Sequence, residues 1–314
     1  MRCVTAMLLS LLLAAADEAK FDLRPHFAKG DVHKMNVTLD QTIEQTVQGH
    51  KQVIRQVIGI GYTFTVTDVA ADASASIGVR YESAMLGQKS PMGQVEYDST
   101  KPPRDVPPAA RGFAAIVGQS FTIIVSSDAQ VTRVKGLDAL LKSVLEKLDL
   151  PEGPAKAANE KLVRQMLSEP NVKASVEGLL AVYPGRPIGV GDTWTQKSQV
   201  DSGFPLLMDT IFTLKTRHDG IASVAVKATA ASNSEAPPVD LGQAKLTYDF
   251  TGEQTGVIDV NESTGWLRAA DFDQTLTGSL KLQSPNAPLE SVPATVRTRM
   301  RMTGAANATA TTTR

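Results

Sequence analysis

Apolar and polar residues alternate along most of the chain, and this period of two is typical of half-buried antiparallel strands. The stretch Ile58–Val66 shows it, because β-branched and aromatic residues are separated there by glycine and threonine. The pattern predicts strands at 32–47, 52–67, 73–85, 90–97, 120–126, 130–134, 193–200, 206–217, 221–232, 244–254, 256–260, 265–280 and 292–302. Turns are predicted between them at 68–72, 127–129, 218–220, 253–256 and 261–265.

The period changes to that of a helix at Leu137, where the spacing i, i+3, i+4, i+7, i+8, i+11 places six apolar residues on one stripe. Those residues are Leu137, Leu140, Leu141, Val144, Leu145 and Leu148. A second helix is predicted over 155–168, and a third begins at a cap on Asn171. The predicted helix ends are Pro151, Pro170 and Pro184-Gly185.

These elements predict an α+β fold, with an extended curved antiparallel sheet in two β-rich halves and a three-helix insert packed on one face. The predicted segments are 20–135 for the first half, 136–184 for the helices, 185–303 for the second half and 304–314 for a disordered tail. Four prolines within 101–108 predict an irregular connector. Whether the halves form one sheet or two domains stays open, as does whether their similar rhythm is a duplication.

The first nineteen residues have the layout of a secretory signal peptide. Arg2 gives a positive start, Val4–Leu13 is an apolar run too short to span a bilayer, and small residues follow. We predict cleavage near Ala16 or Ala19 and a periplasmic or secreted mature chain. Cys3 is the only cysteine, so a mature chain would have no disulfide, thiolate or lipidated cysteine.

Composition argues against nucleic acid as a partner. The formal net charge is −1 and only 5% of the residues are aromatic, whereas nucleic-acid binding needs a basic surface or stacking platforms. No later segment resembles a transmembrane helix.

Sequence motifs for catalysis are weak, and we assign no catalytic residue, metal ligand or cofactor. His26, His33 and His50 lie near one another in sequence but lack metal-site spacing, so exposed histidines at strand ends are the favoured interpretation. Asp271 and Asp273 share one face of a predicted strand and could serve a carboxylate-based hydrolase. The favoured interpretation of this pair is a solvent-exposed strand face without a catalytic role.

The sharpest local motif is Val190-Gly191-Asp192-Thr193-Trp194, which follows Pro184-Gly185 and Pro187. We interpret Asp192 as a turn residue that accepts backbone N–H bonds, and Trp194 as a core anchor. The chain here resembles an exported bacterial β-rich domain family of unknown function, in which a Val-Gly-Asp-x-Trp element follows a helical segment. The family's earlier hairpin element corresponds to Gly118-Gln119-Ser120-Phe121, with Ala129 in place of the usual turn glycine. The resemblance implies no activity.

A second motif places three arginines on one side of the last predicted strand, because side chains alternate along a strand. These are Arg297, Arg299 and Arg301. They could form a surface for an anionic ligand or a partner protein. The favoured alternative is that they pair across strands with acidic residues such as Asp271 and Asp273.

The layout resembles the curved sheets of periplasmic lipoprotein carriers, which hold acyl chains between sheet and helices. Our first functional hypothesis is therefore a non-catalytic envelope protein that binds a lipid or other amphiphile there. The alternative is a structural or protein-interaction module of the cell envelope, and a hydrolase comes third.

Overall fold

The computed structural model is dominated by strands. It describes residues 20–148, 153–200, 205–236, 238–240, 245–283 and 290–305. The strands are β1 (Val32–Val47), β2 (His50–Val69), β3 (Ala75–Ser90), β4 (Gly93–Asp98), β5 (Ser120–Val125), β6 (Val131–Lys135), β7 (Thr193–Val200), β8 (Leu206–His218), β9 (Ile221–Ser232), β10 (Val239–Asp240), β11 (Lys245–Asn261), β12 (Leu267–Gln283) and β13 (Glu290–Ala305). The predicted signal peptide and residues 306–314 lie outside the described residues.

All these strands belong to one antiparallel sheet that does not close on itself, in the order β6-β5-β3-β2-β1-β13-β12-β11-β9-β8-β7. β4 pairs with β3, and β10 pairs with β11. Strands that precede Leu137 in the chain lie on one side of the sheet, and strands that follow Leu180 lie on the other. The pairing of β1 with β13, from Lys34↔Ala305 to Gln45↔Ala294, joins the two sides.

The predicted turn at 253–256 is wrong, because β11 runs through it without a break. The glycines of β11 in and beside this stretch allow neighbouring strands to pack closely, and they do not form a turn. A Cβ at Gly252 would collide with the backbone of Thr275, and one at Gly256 would collide with the Phe272 ring. The last strand also ends at Ala305, two residues beyond residue 303, where the second half is predicted to end.

The helices are α1 (Arg111–Ile116), α2 (Leu137–Lys147), α3 (Pro154–Met166) and α4 (Glu169–Leu180). Sequence patterning missed α1, which follows a 3₁₀ turn at Pro108–Ala110. It also misplaced the start of α4, whose N-cap is Ser168 and not Asn171. Pro170 lies in the first turn of α4, a position where proline costs no hydrogen bond.

The sheet has an apolar inner face and a polar outer face. On β13, Val296 and Met302 are buried on the inner side, whereas Arg297, Arg299 and Arg301 alternate with them on the outer side. Buried residues of α2 and α4, including Leu140, Val144 and Val172, belong to the same apolar cluster as inner-face residues. Burial of these apolar surfaces is the main stabilising contribution to the fold.

Helix α4 contacts both edge strands, β6 and β7. These strands lie at opposite ends of the strand order, so the sheet curves until both edges reach the same helix. No described helix has the length and apolar character needed to cross a bilayer.

The segment before β1 pairs with the stretch of chain that leads into β7, at one edge of the sheet. Phe21 forms a β-bridge with Ile188, and the Arg217 guanidinium lies 3.7 Å from the centre of the Phe21 ring. Arg217 Nε also donates to Glu262 Oε1 at 2.8 Å. The loop before β12 meets this segment at Thr264, whose carbonyl accepts a hydrogen bond from the His26 N–H at 2.9 Å. The carbonyl of the next residue, Gly265, accepts a hydrogen bond from the Tyr183 hydroxyl.

We expect Gly265→Ala to destabilise the fold by about 2–5 kcal/mol, since its φ of +69° disfavours a side chain and a Cβ would also collide with the Arg24 carbonyl. Gly220→Ala is the matched control. Its φ is +73° and its Cβ would have open space, so it should cost only about 1–2 kcal/mol. Urea unfolding of both variants measures the difference, and equal losses would contradict the proposed close approach.

Candidate binding site

A cavity of about 360 Å³ lies between α4 and the inner face of the sheet. This volume is at the low end of the range for small-molecule sites, about 300–1,000 Å³. One wall is α4, through residues such as Ala174, Gly178 and Leu179. The opposite wall comes from β1, β7, β8, β9, β11, β12 and β13.

The described lining residues carry no charged side chain. Most are apolar, and they include large flexible or aromatic groups: Met208, Phe212, Ile258, Phe272, Leu276, Met300 and Met302. Polar lining residues are serine, threonine and glutamine. An ion placed in this cavity would lose hydration without gaining an opposite charge, so the site favours uncharged groups.

Glutamine and threonine side chains on the inner face are hydrogen bonded between neighbouring strands. Gln56 Nε2 donates to Gln41 Oε1 at 2.8 Å, and Gln41 Nε2 donates to Thr298 Oγ1 at 3.1 Å. Further along, Gln274 Nε2 donates to Gln254 Oε1 at 3.2 Å. All but Gln56 line the cavity.

The predicted arginine row lies on the outer face, away from the cavity, and is engaged in cross-strand ion pairs. Arg299 contacts Asp271 through Nη2 at 2.9 Å and Nε at 3.2 Å, and Arg301 Nε lies 3.3 Å from the same carboxylate. Arg297 instead pairs with Glu44 at 3.0 Å. Asp273 is a more distant neighbour, 4.0 Å from Arg299 Nε.

These outer-face pairs shift the acids toward the charged form. Hydrogen bonding by Arg299 holds the pKa of Asp271 below its usual range, and Arg301 adds to the effect. The pKa of Glu44 is lowered chiefly by Lys51, with Arg297 contributing. The three arginines and Asp271 are substantially solvent-exposed and Glu44 is half-buried, so each pair adds little to stability.

Asp192 and Trp194 lie outside the cavity lining, where the helical segment leads into β7. Asp192 Oδ2 accepts a hydrogen bond from the Gly189 N–H at 3.1 Å, and this bond is the main reason that the pKa of Asp192 is lowered. Lys20 and Arg186 lie 3.7 Å from the same oxygen. The Trp194 ring is buried and stacks on Phe212, with ring centres 5.5 Å apart.

His33 is buried, not exposed at a strand end as expected. Its ring stacks on Trp266 with centres 3.8 Å apart. Neither His33 Nε2 nor Trp266 Nε1 has a hydrogen-bond partner among the described residues. Burial lowers the pKa of His33, and Asp31 opposes this shift. Across the described chain, no three histidine, aspartate or glutamate side chains are grouped to hold a metal ion.

The structure therefore does not bring the sequence-predicted residues together in one site. The arginines lie on the outer face and Asp192 and Trp194 at the turn into β7. Sequence reasoning missed the glutamines of the cavity. Only the strand register, which the sequence pattern does not fix, shows that residues so far apart in the chain are neighbours.

The chain belongs to a family of unknown function, DUF6263, whose model matches residues 72–267. This confirms the expected membership of an uncharacterised β-rich family. The matched region includes α4, the Val-Gly-Asp-x-Trp element and β7–β9. No curated protein matches the chain.

Among solved structures, lipovitellin, described for its lipid–protein interactions, is 9% identical with a TM-score of 0.47. That alignment covers 92% of this chain and 26% of lipovitellin, so the chain spans about a quarter of that protein. DynF of the dynemicin pathway of Micromonospora chersina is 7% identical with a TM-score of 0.20, covering 96% and 92% of the two chains. An outer membrane channel of Pseudomonas putida F1 has the same identity and score, covering 90% and 98%. None of these likenesses defines a function.

The buried His33 predicts a specific acid sensitivity. Its pKa is lower in the folded chain than in the unfolded chain, so the unfolded state binds a proton first as pH falls. The buried, neutral His33 side chain therefore makes its full contribution to stability at pH values above its unfolded-state pKa of about 6.5. That contribution is lost as pH falls below this value toward the folded-state pKa. Urea unfolding at pH 8 and pH 5.5 should therefore show a smaller loss of stability for His33→Phe than for the wild type.

His50→Phe is the control for this measurement, because His50 lies exposed at the β1–β2 hairpin. It should keep the wild-type pH dependence. An unchanged pH dependence in His33→Phe would contradict the assignment.

Proposed function

We propose that this protein is an exported, non-catalytic envelope protein that binds an apolar or amphiphilic ligand between its sheet and its helices. The observation that carries the proposal is the cavity of about 360 Å³ under α4, with its uncharged and mainly apolar described lining. Apolar concave sites with a few polar groups are the usual form of small-molecule sites. The signal-like residues 1–19 support export.

The proposed arrangement has two β-rich halves with the helical segment covering the inner face. Two observations support it. The apolar residues of α2 and α4 share one buried cluster with inner-face residues. Helix α4 also contacts both edge strands, which makes it a natural cover for the concave side.

The alternative functions have less support. A partner surface on the arginine row would have to compete with the carboxylates that already contact all three arginines. A carboxylate-based hydrolase needs two acids facing a substrate cleft. Asp271 and Asp273 are on the outer face instead, and the described cavity lining has no carboxylate.

A cavity-filling substitution tests the proposal. Gly178 of α4 lines the cavity, and a Cβ there would meet no heavy atom within 4 Å. We expect Gly178→Phe to fill part of the cavity and to weaken binding of the fluorescent apolar probe N-phenyl-1-naphthylamine by about tenfold or more, a loss of about 1.4 kcal/mol. Fluorescence titration of the folded protein measures this loss.

Gly112→Phe is the matched control, because Gly112 is also helical, has equal space at its Cβ and does not line the cavity. It should bind the probe like the wild type. If wild-type protein binds no probe, or if Gly178→Phe binds it equally well, the proposed function is wrong.

A further inference from the structure

A row of polar residues crosses the apolar inner face at a single register level. Gln41 of β1 has Gln56 of β2 and Thr298 of β13 as its Cα partners. Thr298 is in turn paired with Gln274 of β12, and Gln274 with Gln254 of β11. We call these five residues the glutamine row.

Apolar residues flank the glutamine row on both sides. On one side of the row, the inner-face residues two positions away along each strand are Leu39, Met300, Phe272 and Gly256. In the other direction it carries Ile43, Val296, Leu276 and Gly252. The cavity extends over both zones, since Met300 and Leu276 both line it. A ligand lying along the strands would thus meet apolar, polar and then apolar surface.

The glutamine row retains hydrogen-bonding capacity at its cavity side. Gln254 uses its Oε1 to accept from Gln274, which leaves the two N–H groups of Gln254 without an acceptor among the described residues. Gln274 Oε1 likewise accepts no hydrogen bond from any of the described residues. An amide pair can therefore donate to a carbonyl oxygen and accept from a hydroxyl or N–H of a ligand.

These contacts specify ligand chemistry. Because no described lining residue is charged, a carboxylate, phosphate or ammonium group would be desolvated here without compensation. A purely apolar ligand would cover Gln254 and Gln274 without satisfying them, which also costs free energy.

We infer that the cavity selects an uncharged amphiphile with an ester, amide or hydroxyl group lying between two apolar segments, and that Gln254 and Gln274 bind this group. The inference rests on the proposed function and deepens it by naming the ligand class. The volume of about 360 Å³ favours a single narrow chain.

Competition against N-phenyl-1-naphthylamine tests the inference with three compounds of similar chain length. Hexyl octanoate carries an ester between two alkyl segments, tetradecane has no polar group, and dodecyl sulfonate is charged. We expect the ester to compete about tenfold better than the sulfonate and better than tetradecane.

Two variants assign the selectivity to the glutamine row. Gln254→Met and Gln274→Met should each weaken ester binding about three- to tenfold, as expected for loss of a hydrogen bond at a half-buried site, and leave tetradecane binding unaffected or improved. Gln45→Met is the control, because Gln45 is also hydrogen bonded to a cross-strand glutamine, Gln52, at 3.2 Å but does not line the cavity. Thermal unfolding verifies that all three variants are folded.

The outcomes separate the two proposals. Failure of the probe and all three compounds to bind wild-type protein would overturn the proposed function. Binding of all compounds with equal affinity, unchanged in Gln254→Met and Gln274→Met, would leave the proposed function intact and overturn the inference. Preference for the sulfonate would overturn the inference as well.

Discussion

The pairing of β1 with β13 is the constraint on which the rest of the structure depends. It joins strands from the two ends of the described chain into the middle of one sheet. Without it, the strands before α2 and the strands after α4 would form two separate sheets, each with an additional unpaired edge, which is an aggregation hazard. The same register places Gln41 beside Thr298 and Glu44 near Arg297, so it sets both the glutamine row and part of the outer-face ion pairs.

A second consequence concerns the helices. Because β1 and β13 occupy the centre, the strands that flank the helical segment, β6 and β7, become the opposite edges of the sheet. The chain must therefore pass from one edge to the other, and α4 contacts both. The cavity follows from this topology, since side chains of α4 and of the inner face leave space between them.

Local patterns in the sequence predicted most strands and the α2 stripe, because alternation and helical spacing are properties of neighbouring residues. They failed where a distant residue decides the outcome. Gly256 looked like a turn residue, but it lies within β11 and is paired with Phe272 of β12, whose ring occupies the space that a Cβ would need. The glutamine row was not predictable for the same reason: its members are aligned by register between distant strands. His33 became buried through stacking on Trp266, a contact that local pattern cannot show.

Methionine methyl NMR tests the central claim most directly, because the described chain places methionines both inside and outside the cavity. Met208, Met300 and Met302 line it, whereas Met85, Met92 and Met166 are exposed and do not. Titration of ¹³C-methyl-methionine-labelled protein with hexyl octanoate should shift the three cavity methyl resonances together and leave the three exposed ones unchanged. Shifts confined to the exposed methionines, or no shift at saturating ligand, would contradict binding between the sheet and α4.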